Sequence, residues 1–132
     1  MAFEFDREAL SDASQIGFIA CRWPVLKNHT LAIFDAVCIA RPQSPVGLIG
    51  KTMVYLNCDN DAEGAVAFLK KNGVSGSSGA LVCRAFLGLC LYLAKRRSES
   101  EQVLKEMMET GAAEDADATD LANTLLEELT GK

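Results

Sequence analysis

The sequence predicts an all-α fold in which about seven helices stack as antiparallel hairpins within a single domain, residues 1–132. Apolar residues recur at helical spacing along most of the chain, and strand-like alternation never extends beyond a few residues. Turn and capping residues separate these segments at short intervals. The most apolar segment, residues 79–94, has Arg84 as its only charged residue and carries apolar side chains on all sides, so as a helix it has to be covered all round.

The first two helices are expected to form a hairpin. Residues 6–22 place apolar and small residues at helical spacing, and Pro24 closes this segment because proline disfavours helix in the residue before it. A second helix, capped by Asn28 or Thr30, extends to Pro42. Its apolar set is Leu31, Ile33, Phe34, Val37, Cys38 and Ala40.

The third and fourth helices begin at recognisable capping residues. Ser44 followed by Pro45 predicts a helix start, with the proline at the first helical position, and this helix runs to about Leu56. Asn60 and Glu63 resemble a capping box for the fourth helix. Its last turn carries two lysines, which suit the negative end of the helix dipole, and Gly73 can provide the left-handed cap.

A flexible glycine- and serine-rich loop, residues 73–79, leads to the central helix. No strand precedes the loop and no Lys-Ser/Thr pair follows it, so its pattern does not indicate a nucleotide site. Ser98 and Glu101 form an S-x-x-E capping box for a sixth helix that ends near Gly111. A last helix covers about residues 117–129.

Charge and cysteine content restrict the class of protein. With 18 acidic and 13 basic residues the net charge is -5, which disfavours nucleic acid or an anionic membrane as the main partner. The central segment is too short to span a bilayer. The five cysteines are odd in number and include no C-x-x-C, which favours reduced core thiols over a disulfide or a redox role. The N-terminal residues lack a signal-peptide pattern, so we expect a cytoplasmic protein.

The sequence contains no pattern of residues that indicates catalysis. His29 is the only histidine, and a surface or capping role suits it better than catalysis, because no nucleophile or orienting carboxylate accompanies it. No group has the spacing of a zinc site or a calcium loop, and no cofactor is expected. We interpret the carboxylates of residues 99–128 as a solvated face. We interpret Lys95-Arg96-Arg97 as charges that stabilise a helix C-terminus. We therefore expect a protein that is not an enzyme.

The chain also shows a degenerate internal repeat. A shift of 38 residues aligns Leu48-Ile49-Gly50 with Phe86-Leu87-Gly88. The spacing of large and small residues follows the tetratricopeptide pattern, in which a glycine lets the second helix of a hairpin approach the first closely. The two matching sets are Ile49, Gly50, Met53, Ala62, Val66 and Leu87, Gly88, Leu91, Ser100, Leu104. A helical bundle without repeats is the alternative.

Two segments carry a resemblance to a known family: DAVCIARPQSPVGLIGKTMVYLNCDNDAEGAVAFLKK and GALVCRAFLGLCLYLAKRRSESEQVLKEM. Over about residues 30–130 the chain resembles the small tetratricopeptide-like proteins of bacterial type III secretion systems. Both the chaperones that hold the needle subunit in the cytoplasm and the Hrp-type proteins of plant-pathogen systems are similar. The resemblance implies a carrier whose concave groove buries the amphipathic C-terminal helix of a needle subunit, often together with a small helical co-chaperone.

The residues themselves also indicate a groove. If Leu87, Gly88 and Leu91 pack inside the repeat, the remaining apolar side chains of the central helix face a groove that suits a bound helix. The candidate partner-binding residues, including the equivalent positions of the third helix, are Lys51, Val54, Tyr55, Val82, Ala85, Leu89, Tyr92 and Leu93. The alternative is that these residues are core, covered by the last helix or by a second copy of the chain.

Two functions from different classes follow from this pattern. The first is a type III secretion chaperone that binds the hydrophobic helix of a needle subunit and prevents its premature polymerisation. The second is a structural or adaptor component of the secretion apparatus that self-associates as a homo-oligomer through the same surface.

Overall fold

The computed structural model describes residues 7–42, 44–72, 80–111 and 116–131. These residues form seven α-helices and no strand, which confirms the all-α fold. The helices are α1 (Arg7–Ala20), α2 (Lys27–Ala40), α3 (Val46–Asn57), α4 (Ala62–Asn72), α5 (Ala80–Leu93), α6 (Arg97–Gly111) and α7 (Ala116–Thr130), with a short 3-10 turn at Pro24–Leu26. The loop expected at residues 73–79, with its cap at Gly73, lies outside the described residues.

The chain divides into two compact units, residues 1–61 and residues 62–132. The first unit contains α1, α2 and α3, and the second contains α4 to α7. Each unit has its own buried apolar side chains. A single domain and tetratricopeptide-like packing both stay predictions.

Phe34 of α2 is the centre of the first unit. Its side chain is fully buried, and its ring centroid lies 5.0 Å from that of Phe18 in α1. Gly17 of α1 and Gly50 of α3 both lie against the same ring, where a Cβ on either glycine would collide with it. The close approach at Gly50 is therefore made by α2, the preceding helix, whereas the repeat pattern assigns it to the following one.

The second unit is built around the packing of α6 on α5. Gly88 of α5 leaves room for the buried side chain of Leu104, whose Cδ2 would lie 2.5 Å from a Cβ at residue 88. Ser100, also buried, donates a hydrogen bond of 2.7 Å from Oγ to the Gly88 carbonyl oxygen. The prediction that Gly88 allows a close helix approach is confirmed.

Several predicted capping residues have other roles. α2 begins at Lys27, so neither Asn28 nor Thr30 caps it, and the buried Thr30 hydroxyl donates to the Leu26 carbonyl at 3.0 Å. α3 begins one residue later than expected, with Pro45 at the N-cap position and the Ser44 hydroxyl accepting from the Val46 N–H at 3.3 Å.

The predicted capping boxes of α4 and α6 are wrong. α6 begins at Arg97, which places Ser98 inside the first turn instead of before it. Asn60 has a positive φ of 50°, which differs from the extended backbone of an N-cap residue. Glu63 accepts a hydrogen bond from Arg96, a residue of the same unit, at 2.9 Å.

Candidate functional site

The three predicted partner-binding residues of α3 lie in the first unit. Val54 is 2% exposed and belongs to the core of that unit, so the expectation that it lines an open groove is wrong. Lys51 forms an ion pair with Asp35 of α2, and the hydrogen bond to that carboxylate raises the pKa of Lys51 above its usual value. Tyr55 is half-buried.

The candidate residues of α5 pack against a second helix of their own unit. Ala85 is fully buried in a cluster that contains Leu104 and Met107 of α6 and the α7 residues Ala118, Ala122 and Leu125. Val82 and Leu89, on the same side of α5, pack against this cluster. The expectation that these side chains line an open groove is therefore wrong for the free chain, because α7 covers them. Coverage by the last helix is the alternative that the sequence left open.

Both small and large side chains form the contact between α5 and α7. Ala85 of α5 and the two α7 alanines, residues 118 and 122, are each fully buried. Alanines at a helix contact let the two backbones approach closely, but each buries little apolar area compared with a leucine. Leu125, 7% exposed, is the largest side chain that α7 contributes to the buried cluster. Three further α7 leucines, Leu121, Leu126 and Leu129, are partly buried and pack against the same cluster.

Tyr92 and Arg97 mark the end of this contact. The Arg97 guanidinium lies 5.4 Å from the centroid of the Tyr92 ring, within the range of a cation–π interaction. Its Nη2 donates to the carbonyl oxygens of Glu128 and Leu129, in the last turn of α7, at 3.5 and 3.4 Å. Arg97 thereby joins the C-terminal end of α7 to α5. Leu93, next to Tyr92, remains 47% exposed.

The neighbouring Arg96 connects α4 with the start of α6. Its guanidinium donates to Glu99 at 2.6 and 2.9 Å and to Glu63 of α4 at 2.9 Å. The hydrogen bond between Arg96 and Glu99 raises the pKa of the arginine and lowers the pKa of the glutamate. The sequence interpretation assigned Lys95-Arg96-Arg97 only to the dipole of the preceding helix. The specific acceptors come from α4, α6 and α7, and no local pattern identifies them.

The cysteines of the described chain are free thiols. Cys21, Cys83 and Cys90 are buried, which confirms a core position for these three. Burial raises the pKa of Cys83, and it raises the pKa of Cys90 to about 12. The half-buried Cys58 donates from Sγ to the Cys21 carbonyl oxygen at 3.2 Å. Protonated thiols of this kind are poor nucleophiles.

The outer face of α6 carries charged and polar side chains. Along α6, Lys105 pairs with Glu101 at 2.7 Å and Gln102 donates to Glu106 at 3.1 Å, which forms one exposed polar face.

Within the described residues, no group of three or more His, Cys, Asp or Glu side chains could hold a metal ion. No described helix is both long enough and apolar enough to cross a membrane. His29 is exposed on α2.

Comparison of the chain with known proteins gave no match to a protein-family model, a curated protein or a solved structure. The resemblance to type III secretion proteins therefore stays a prediction from the sequence. The geometry that bears on function is the face of α5 covered by α7, together with the Tyr92–Arg97 contact at its end.

Proposed function

We propose that the chain is a chaperone that binds an amphipathic helix of a type III secretion needle subunit in the cytoplasm and prevents the subunit from polymerising before export. The observation that carries the proposal is that α5 already holds a helix, α7, along the face of Val82, Ala85 and Leu89. A needle subunit has an exposed hydrophobic helix of the same general kind. The resemblance supplies the class of cargo, and the α5 face supplies the binding surface.

The α5 face has the spacing that helix recognition requires. Val82, Ala85 and Leu89 stand at positions i, i+3 and i+7, which form one stripe of an α-helix. The next positions of that stripe are Tyr92 and Leu93, and Leu93 is the part that α7 leaves exposed. A cargo helix makes its first contact at this exposed end.

Cargo then takes the place of α7 along the rest of the stripe. The α7 side chains in the buried cluster include two alanines, and the bonds from Arg97 to its last carbonyls are long. A cargo helix with larger apolar side chains at the positions of these two alanines buries more area on the same face. In the free chain α7 keeps the stripe from being an adhesive patch.

Co-expression with a short secreted needle subunit tests the proposal. We expect a complex of one copy each, measured by size-exclusion chromatography with light scattering. Leu93→Asp should weaken the complex and leave the helical circular dichroism signal unchanged, because Leu93 is half-exposed and outside the core cluster. Ile39→Asp on α2, where the side chain is 83% exposed, is the matched control and should bind normally.

Two results would contradict the proposal. One is the absence of any complex with the subunit although both chains are folded. The other is a complex that Leu93→Asp and Ile39→Asp affect equally. Leu89→Asp is a weaker test. Because Leu89 packs against the core cluster, this substitution destabilises the fold as well as altering the binding surface.

A further inference from the structure

The first unit has an exposed apolar stripe that the proposed function does not use. Ile16 and Ile19 of α1 are 59% and 66% exposed, and Trp23, just after the helix, is 58% exposed. The spacing of three residues places Ile16 and Ile19 along one side of α1, and Trp23 follows three residues after the helix ends, with an extended backbone. Five of the seven large exposed hydrophobic residues of the described chain lie between residues 16 and 26, which makes this a patch instead of scattered exposure.

The opposite side of α1 is fully engaged in the core of its unit. Gly17 lies against the rings and methyl groups of Phe34 and Ile33, and a Cβ at residue 17 would come within 2.8 Å of the Phe34 ring. Ala20 and Cys21 are buried on the same side. Rotating α1 to bury the stripe would pull these residues out of the core, so only a partner outside the unit can cover it without disturbing that core.

The charges beside the stripe indicate what covers it. Asp12 is exposed before Ile16, and Arg22 is exposed after Ile19. Neither makes an ion pair with another described residue. Within the described part of the chain, the stripe is thus bracketed by one negative and one positive charge that form no ion pair there.

An antiparallel second copy satisfies both charges at once. When two stripes align antiparallel about the midpoint between Ile16 and Ile19, each Ile16 faces Ile19 of the other copy. Asp12 then lies 5.5 residues from the axis and Arg22 lies 4.5 residues from it on the other side. Arg22 lies two residues past the end of α1, and its long side chain spans an offset of one residue, which is about 1.5 Å along a helix. A parallel alignment places like charges together.

We propose that this chain forms a two-fold symmetric dimer through the α1 stripe, with Asp12 of each copy paired to Arg22 of the other. The contact is isologous, so a single patch serves both copies and the assembly closes at two. Trp23 at each end of the stripe supplies a large exposed aromatic side chain, a residue type that is enriched at interfaces. All these residues belong to the first unit, so the dimer does not depend on the proposed cargo site.

Sedimentation velocity over a range of protein concentrations tests the dimer. The natural chain should sediment as a dimer that dissociates on dilution. Ile19→Asp should sediment as a monomer with an unchanged helical signal and melting temperature, since the side chain is exposed in the single chain. Ile39→Asp, where the side chain is even more exposed but lies on α2, should remain dimeric. A natural chain that is monomeric at every concentration, or an Ile19→Asp variant that dimerises normally, overturns the proposal.

Charge exchange tests the antiparallel alignment. Asp12→Arg and Arg22→Asp should each raise the dimer dissociation constant several-fold, because each places two like charges together twice in the dimer. The double variant, which exchanges the two charges, should recover affinity close to that of the natural chain. High salt should reduce all these differences. A double variant that dimerises no better than the single variants overturns the alignment.

Discussion

The hydroxyl of Ser100 donates a 2.7 Å hydrogen bond to the carbonyl oxygen of Gly88, and both residues are buried where α6 crosses α5. Leu104, one turn further along α6, fills the space that a Cβ at residue 88 would need. The hydrogen bond and the leucine contact together hold the two helices at close distance.

Gly88→Ala should destabilise the protein although alanine is the better helix former. Helix propensity favours alanine by about 1 kcal/mol. The new Cβ, however, would lie 2.5 Å from Leu104 Cδ2 and 2.7 Å from its Cγ, so the buried leucine or the whole helix must move. Overpacking of this kind costs about 1–3 kcal/mol, and we expect a net loss that thermal or urea unfolding can measure.

A double-mutant cycle separates this collision from other effects of the substitution. In a Leu104→Ala background the Cβ has room, so Gly88→Ala should become neutral or stabilising there. An equal cost in both backgrounds would show that Leu104 is not the obstacle.

Ser100→Ala should lower the free energy of unfolding by about 1 kcal/mol, the net value of a typical intramolecular hydrogen bond. Ser98→Ala on the same helix is the matched control, since Ser98 is exposed and Ser100 is buried. Both changes raise the helix propensity equally, so their difference in urea unfolding reports the bond to Gly88. Equal midpoints for the two variants would mean that the bond contributes nothing.

The two glycines of the predicted repeat show which features of a helix contact the local sequence pattern can predict. At Gly88 the spacing correctly predicts a close contact with the next helix, because the connection from α5 to α6 is only three residues long. At Gly50 the same spacing is present, yet the glycine lies against Phe34 of α2. The pattern predicts that a backbone approaches closely, while the size of Phe34 decides which helix provides the contact.

The candidate site was predictable only in part. The apolar excess of α5 correctly predicts a helix covered on two sides, but sequence spacing cannot distinguish a foreign helix from α7. The two α7 alanines at the contact, residues 118 and 122, are too small to stand out as an apolar stripe. Arg97 was assigned to a helix dipole because its partners in α7 lie about thirty residues away in the chain.

Alkaline pH should destabilise the protein through its buried thiols. Burial raises the pKa of Cys90 from its ordinary value to about 12, and the unfolded chain ionises at lower pH. The folded state therefore binds the proton more tightly, so its stability is complete below the unfolded pKa and falls as the pH rises toward 12. Urea unfolding between neutral and strongly alkaline pH measures this slope.

Cys90→Ala is the comparison for that measurement. The variant should be less stable at neutral pH, because it leaves a small cavity in the core. Its stability should nevertheless decline less steeply at high pH, since one buried ionisation is gone and the other residues are the same in both proteins. Parallel declines in the two proteins would show that Cys90 does not contribute to the alkaline slope.

Arg97→Ala should release α7 from α5. The substitution removes both the contact with the Tyr92 ring and the two bonds to the last carbonyls of α7. A cation–π contact at an exposed site contributes about 0.5–1 kcal/mol, and a cation at a helix C-terminus contributes about as much. We expect faster amide hydrogen exchange across α7 and little change in α1 to α3, measured by mass spectrometry.

The same variant connects the α7 contact with cargo binding. If cargo takes the place of α7, the variant should bind the needle subunit more tightly than the natural chain. The gain in binding free energy should equal the part of the α7 contact that cargo no longer has to displace. Lys105→Ala is the matched control, because it removes an exposed cation from the outer face of α6, where its partner is Glu101. Arg97→Lys, which keeps the charge but not the planar guanidinium, should lie between the two. Faster exchange in α7 combined with weaker cargo binding would show that α7 forms part of the binding surface and is not displaced.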